Sequence, residues 1–441
     1  MDLYSLCTVI LVVLISCLMA IYGRMMLERV KLPPGPTPLP IIGTLHKMNV
    51  SNIVHSLMKL KKTYGDIFTI YEGNRPCVVL CGYEAIKETL IDKPEEFSGR
   101  AYFPSVSDFT KGDELGFSNG EKWKELRNFC LITLCNFGMG KRSIEERIKE
   151  EAGYLIDMLR QKNGSPIDPK HHIHCSVANV ICSVLFGKRF DYQDEELQKL
   201  VHCSQYNVRI MSNPWGLEEK KNPNYYNKNT MLMNIMVLIF AGTETMSNTL
   251  TYLFLLLLKH PNVAEKVCQE IDDVIGCRPP NYEDRYKMPY TEAFIHEAQR
   301  YADVVPLSLP YELTKATQLR NYTFRKGTVF IALLSSVHND KTRFNNPEHF
   351  NPNNFLDENG KFKNNNALMP FSAGKRICPG MSLAVMEIFL YVITMLQNFT
   401  IKSPVPPEEI SVAPVGVGLA HIPPNYEICL LPRSCSPKSK D

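Results

Sequence analysis

Tryptophan is nearly absent from this chain, with 2 in 441 residues. Excess charge of either sign is missing as well. The formal net charge is +3, so composition leaves no electrostatic footprint for nucleic acid. The 14 cysteines include no C-x-x-C pair, which argues against zinc knuckles and thioredoxin-type sites. Most are expected as free thiols in a reducing compartment. No basic residue precedes the first apolar run, Leu3 to Tyr22. That run therefore lacks the charged head of a cleaved signal peptide.

What is present begins with that run. About twenty apolar residues can cross a bilayer core. Asp2 lies before it, and Arg24, Arg29 and Lys31 follow. The positive-inside rule then puts the rest of the chain in the cytosol. The prolines of Pro33-Pro-Gly-Pro-Thr-Pro-Leu-Pro40 make a stiff spacer. The expected division is an anchor over residues 1–23, a basic and proline-rich linker over 24–40, and a cytosolic domain over 41–441. The sequons at Asn49 and Asn398 would stay unmodified there.

The most informative stretch is Phe371-Ser-Ala-Gly-Lys-Arg-Ile-Cys-Pro-Gly380, followed at once by an apolar helical run from Met381 to Leu396. A thiolate before a helix N-terminus is favoured by the dipole and by free N–H groups. Gly374 permits a tight turn and close approach of a flat group. Arg376 can reach an anion. The plain alternative is a buried cysteine beside a loop.

Other segments carry chemistry more weakly. Trp123 and Arg127 are four apart, so one helical face carries an indole N–H and a guanidinium. A simple cation–π pair would look the same. The long apolar helix expected from Met231 to Lys259 contains Ala241-Gly-Thr-Glu-Thr245. A buried acid and hydroxyl are costly there without a reason. Thr245 can bond back to a carbonyl and bend the helix. Glu244 argues against a second membrane span. Glu297 and Arg300 have the i,i+3 spacing of an ion pair, usually a surface bridge. Lys170-His-His-Ile-His-Cys175 could suggest a metal, but a helix spreads those histidines over different faces, so a solvated helix start is the simpler reading. Residues 213–229 are read as a polar loop.

Phe-x-x-Gly-x-Arg-x-Cys-x-Gly resembles the haem-binding loop of the cytochrome P-450 monooxygenases. The Trp-x-x-x-Arg, Ala-Gly-Thr-Glu-Thr and Glu-x-x-Arg segments follow in that family's order. The nearest group is the microsomal family-two enzymes that oxidise drugs, steroids and fatty acids. The resemblance implies a mainly α fold with small β-sheets behind an N-terminal anchor helix, in the endoplasmic reticulum membrane. It implies haem b, with Cys378 as axial iron ligand inside the loop bounded by Phe371, Gly374 and Gly380. Trp123, Arg127 and Arg376 would hold propionates, with Arg100 a further candidate. Glu244 and Thr245 would deliver protons, while Glu297 and Arg300 would be structural. Electrons would come from NADPH through cytochrome P-450 reductase, steered to a basic patch of Lys122, Lys124, Lys375 and Arg376. Cytochrome b5 is a second expected partner and a lipophilic small molecule the substrate.

The chain departs from the family in three places. Asn354 replaces the basic third partner of the Glu297–Arg300 pair. Tyr311 stands where relatives carry a propionate-binding histidine. Roughly fifty to sixty residues are missing between Trp215 and Leu217, a gap as large as a small domain's core. In relatives that segment supplies a helix pair roofing the substrate pocket. Two functions follow as alternatives: a competent monooxygenase, or a catalytically impaired isoform that binds haem or reductase.

Overall fold

The computed structural model describes residues 3–49, 52–103, 107, 110, 112, 114–138, 142–211 and 228–433. The chain forms two compact units, and neither is continuous in sequence.

The first unit comprises Met1–Phe103, Leu307–Val337 and Ser372–Arg376. Helix α1, Leu3–Arg29, is exposed along nearly all its apolar length. It continues past the anchor boundary expected at residue 23 and absorbs the first basic residues of the linker. Helix α2, Ile53–Tyr64, starts where the Asn52 side chain accepts the His55 N–H, an N-cap that satisfies an orphan donor. Strands β1, Ile67–Glu72, and β2, Arg75–Cys81, pair antiparallel with Glu72 opposite Arg75. That register leaves a two-residue Gly73-Asn74 turn, and Gly73 takes the left-handed φ of +60° that such turns require. Helix α3, Gly82–Ile86, runs into a wider π turn over Lys87–Ile91.

Strands β3, Gly99–Arg100, β4, Tyr311–Glu312, and β7, Val329–Leu333, complete a five-stranded sheet in the order β1-β2-β7-β4-β3. The β2–β7 pairing is parallel. Strands β5, Thr317–Leu319, and β6, Tyr322–Phe324, form a separate hairpin. Strands β6 and β7 flank Lys326-Gly327, but each pairs elsewhere. Sequence alternation marks a strand without choosing its neighbour.

The second unit comprises Pro104–Pro306, His338–Phe371 and Ile377–Asp441. Its helices are α4, Gly120–Asn136; α5, Arg142–Arg160; α6, Lys170–Phe186; α7, Glu195–Met211; α8, Lys228–Lys259; α9, Pro261–Val274; α10, Pro289–Ala302; and α11, Met381–Asn398. Helix α6 packs along α8, and α5 along α11. Leu250, Leu253, Phe294, Phe389 and Val392 lie in the shared apolar core. Pro261 occupies the first position of α9. It lacks the N–H needed to extend α8 but suits a helix start. Helix α11 is long and apolar enough to span a membrane, yet most of it is buried, so it is a core helix. Strands β8, Phe399–Lys402, and β11, Cys429–Pro432, pair, as do β9, Gly416–Val417, and β10, His421–Ile422. Of the polar loop expected at 213–229, residues 228–229 already belong to α8. The rest, with Trp215 and Leu217, lies outside the described residues.

Candidate functional site

The Cys378 N–H donates to the Phe371 carbonyl at 3.0 Å and closes the loop on itself. Gly380 is the N-cap of α11. Its backbone N–H bonds the Cys378 sulfur and lowers the thiol pKa, as does the Arg127 guanidinium. Burial acts against both and is larger, so the thiol is raised above its ordinary value. Cys378 is nevertheless exposed by surface area. The neutral thiol is favoured while no cation is present, and coordination of a metal would release its proton.

Helix α4 supplies the neighbouring cation. Arg127 Nη2 donates to the Ile377 carbonyl at 2.8 Å, one residue before the cysteine. Its guanidinium also lies 5.9 Å from the Trp123 ring centre, and Trp123 is buried. The cation–π contact and a role for Arg127 at the loop are therefore both present. The link to Ile377 is not visible from Trp-x-x-x-Arg spacing, because it depends on where a distant loop returns.

In the first unit, Gly374 has φ +71°. A Cβ there would collide with the Leu90 carbonyl, so glycine is needed for close backbone passage. Arg376 is buried and its Nε donates to the Ser98 carbonyl at 2.7 Å. Arg100, on β3, donates to the Leu309 carbonyl at 2.9 Å and lies 4.3 Å from the Tyr311 ring centre. Tyr311 bonds the Ser372 hydroxyl at 3.1 Å.

Helix α8 carries the acid and hydroxyl on different faces. Thr245 is exposed, and its hydroxyl donates to the Ala241 carbonyl at 2.6 Å. That is the back-bond expected for a mid-helix threonine. Glu244 is buried, with Oε2 3.6 Å from His174 Nε2 on α6. Successive helical residues point about 100° apart, so the two side chains do not start from one place. His174 is fully buried, although its cluster reads as a solvated helix start. It sits in the cluster that suggested a metal, and among the described residues no group of three His, Cys, Asp or Glu could hold one.

The Glu297–Arg300 pair is not a surface bridge. Arg300 is 1% exposed and Glu297 0%. Arg300 donates to both Glu297 oxygens at 2.7 and 2.8 Å and to the carbonyls of His338, Pro347 and His349. Asn354 donates to both Glu297 oxygens at 3.3 Å. It fills the third partner's place without a charge.

The expected basic patch is corrected in part. Lys124 is paired with Glu121 at 2.7 Å, Lys375 is paired with Glu95, and Arg376 is buried. Neighbouring carboxylates offset the field of both lysines.

A family model described as cytochrome P450 matches residues 33–218 and 216–430. The chain belongs to the cytochrome P450 family. Cytochrome P450 2F2 of Mus musculus is 44% identical over 460 aligned residues, covering 91% of this chain and 94% of the relative. Cytochrome P450 2C25 of Mesocricetus auratus is 44% identical over 484, covering 96% and 99%. Cytochrome P450 2C7 of Rattus norvegicus is 44% identical over 488, covering 97% and 100%. For the hamster relative, 484 aligned positions against 96% of 441 residues leaves about sixty positions without a counterpart. The family match breaks at 216–218.

This P450 is a family-two monooxygenase of lipophilic substrates in the endoplasmic reticulum membrane. Its cofactor is haem b, with electrons delivered through a reductase. The residues present fit that group. An iron porphyrin needs a soft axial ligand and cations for its carboxylates. An accessible thiol at a helix N-terminus with Arg127 beside it meets the demand.

Proposed function

We propose that Cys378 is the axial haem ligand of a P450 whose substrate roof is shortened near residues 215–217, so that it holds haem better than it couples oxidation. Cys378 carries the first part of this reading: its sulfur is accessible at the head of α11, with a cation fixed beside the loop. The break in the family match and the unmatched positions support the second.

When bound, haem supplies the activation of dioxygen for insertion of one oxygen atom into a C–H bond. The chain's own residues do the rest. The Gly380 N–H draws electron density from the sulfur and so sets the donor strength of the ligand. Arg127 and Trp123 are the proposed propionate donors, with Arg376 and Arg100 as further ones. Glu244 holds a proton-exchanging carboxyl inside α8, and the Thr245 hydroxyl passes a proton on the exposed face. NADPH–cytochrome P-450 reductase is the proposed electron donor, with cytochrome b5 a second docking partner.

A lost helix pair removes apolar walls worth about 25 cal/mol per Å² of contact. A few hundred Å² would amount to several kcal/mol of substrate binding. Water left in the open pocket would divert reduced oxygen to peroxide. The test inserts a relative's helix pair between Trp215 and Leu217 and measures product per NADPH with reductase in excess. The graft is expected to raise coupling at least tenfold, a change of about 1.4 kcal/mol, while the reduced carbon-monoxide spectrum stays the same. Equal coupling in the native and grafted chains would make this an ordinary monooxygenase.

A further inference from the structure

His338 lies outside the Cys378 loop and is bonded at three points. It is 1% exposed. Its Nε2 accepts the Met369 N–H at 3.1 Å. A ring nitrogen that accepts carries a lone pair, so the hydrogen of the neutral ring is on Nδ1. Nδ1 lies 2.7 Å from Asp303 Oδ1 and donates to it. The other tautomer would set a lone pair against a carboxylate and an N–H against an N–H. Helix α10 grips the residue twice. Arg300 Nη1 donates to the His338 carbonyl at 2.8 Å, and Asp303, which takes the ring, caps the same helix three residues later. Asp303 has φ +45°, a left-handed conformation that aspartate tolerates better than most side chains.

The other end of this arrangement is the entry to the Cys378 loop. Met369 is buried, and only Pro370 separates it from Phe371. The Phe371 carbonyl accepts the Cys378 N–H at 3.0 Å. Proline fixes its own φ, so a displacement of Met369 is passed on to Phe371. All of these residues belong to the second unit. We propose that His338 is a positioning residue for the cysteine ligand: Asp303 fixes its tautomer, its Nε2 holds the Met369 amide, and through Pro370 this sets the Phe371 carbonyl on which Cys378 hangs. The role rests on the assignment of Cys378 as axial ligand. The Glu297–Arg300 pair thus reaches the ligand loop through the backbone and ring of one histidine. No spacing rule joins Asp303, His338 and Met369, which is why the sequence does not single them out.

Two substitutions each keep one half of the ring's bonding. The amide of Gln reaches the place of Nε2, so His338→Gln keeps an acceptor for Met369 and loses the Asp303 bond. The amide of Asn reaches only the place of Nδ1, so His338→Asn keeps the Asp303 bond and strands a buried N–H. The full chain in lipid is loaded with haem, and the ratio of thiolate-type to thiol-type carbon-monoxide complex is read at equal haem content. His338→Asn is expected to lower that ratio about tenfold, the effect of leaving one buried donor unpaired, and His338→Gln by no more than about twofold. An unchanged ratio in His338→Asn overturns the proposal. So do losses in both variants that simply follow their thermal midpoints, the behaviour of a histidine that only supports the fold. Nitrogen-15 NMR of the unaltered chain reads the same bonds without a folding risk. A His338 Nε2 that carries no hydrogen and couples to the Met369 amide across the bond is expected. A protonated Nε2, or no coupling, overturns the proposal whatever the variants do. Cys378→Ala separates this from the ligand assignment. If it leaves the thiolate-type complex intact, the assignment falls and the positioning role with it, while the Asp303–His338–Met369 bonds seen by NMR stand.

Discussion

Two buried carboxylates in this protein meet opposite fates. Glu297 on α10 is surrounded by donors: both oxygens take Arg300 and Asn354, and the Asn351 N–H adds another. Arg300 in turn spends all five N–H groups on acceptors. Glu244 on α8 has one imidazole at 3.6 Å and an oxygen without a partner among the described residues. A charged pair is stable in a low-dielectric interior only when its remaining donors and acceptors are satisfied. The first carboxylate meets that condition and fixes chain segments far apart in sequence. The second does not. One unit of one protein therefore holds a fully bonded buried acid and an incompletely bonded one. Their hydrogen-bond inventories tell them apart better than their burial does.

The harshest test removes the proposed haem ligand, which neither carboxylate contacts. Cys378→Ala is expected to abolish the thiolate-type carbon-monoxide difference spectrum completely. The Glu297–Arg300 network touches no atom of Cys378, so the chain should stay folded by circular dichroism. A surviving thiolate spectrum would mean that another cysteine holds the iron.

The next break falls on the satisfied carboxylate. Arg300→Ala strands Glu297 and three carbonyls, two of them buried, at once. Removing one partner of a buried ion pair costs about 3–5 kcal/mol, enough to keep most of the chain from folding or retaining haem. The matching change on α8, His174→Gln, should cost little, because the pair it disturbs was never fully bonded. Urea unfolding of both variants measures the difference. Similar losses would erase the distinction between the two carboxylates.

Much of this was legible in the residues. The order of α1, α4, α8, α10 and α11 follows from apolar periodicity and its interruptions, and the Cys378 loop stands out by its spacing. Partners distant in sequence were not legible. Nothing in Glu-x-x-Arg says that Arg300 will meet three carbonyls between His338 and His349. Nothing in Trp-x-x-x-Arg points to Ile377. Histidine spacing showed that the cluster would divide over a helix, yet not that His174 would turn towards Glu244. The pairing of β6 with β5 escaped for the same reason: a strand's pattern gives its faces, while its neighbour is set by the whole sheet. Local rules thus located the acting residues, and long-range packing decided which bonds they make.

The finest test concerns Asn354, the least conspicuous member of the satisfied set. It contributes two N–H contacts of 3.3 Å to Glu297, near the long end of useful hydrogen bonding, and carries no charge to reinforce them. Its Oδ1 also accepts the Asn345 N–H at 2.9 Å. Asn354→Ala therefore removes a weak pair of donors and one ordinary acceptor. Since Arg300 and the Asn351 N–H still satisfy Glu297, the desolvation penalty should stay small. The expected loss is about 1 kcal/mol, the net worth of an ordinary hydrogen bond. Asn354→Arg tests the other direction. A guanidinium could reach the carboxylate with charge-assisted bonds, but Arg300 already places a cation there, and a second adds repulsion across a low-dielectric space. If the site is saturated, Asn354→Arg should gain no stability in urea unfolding. A clear gain would show that Glu297 was short of positive charge, and the contrast with Glu244 would then be one of degree.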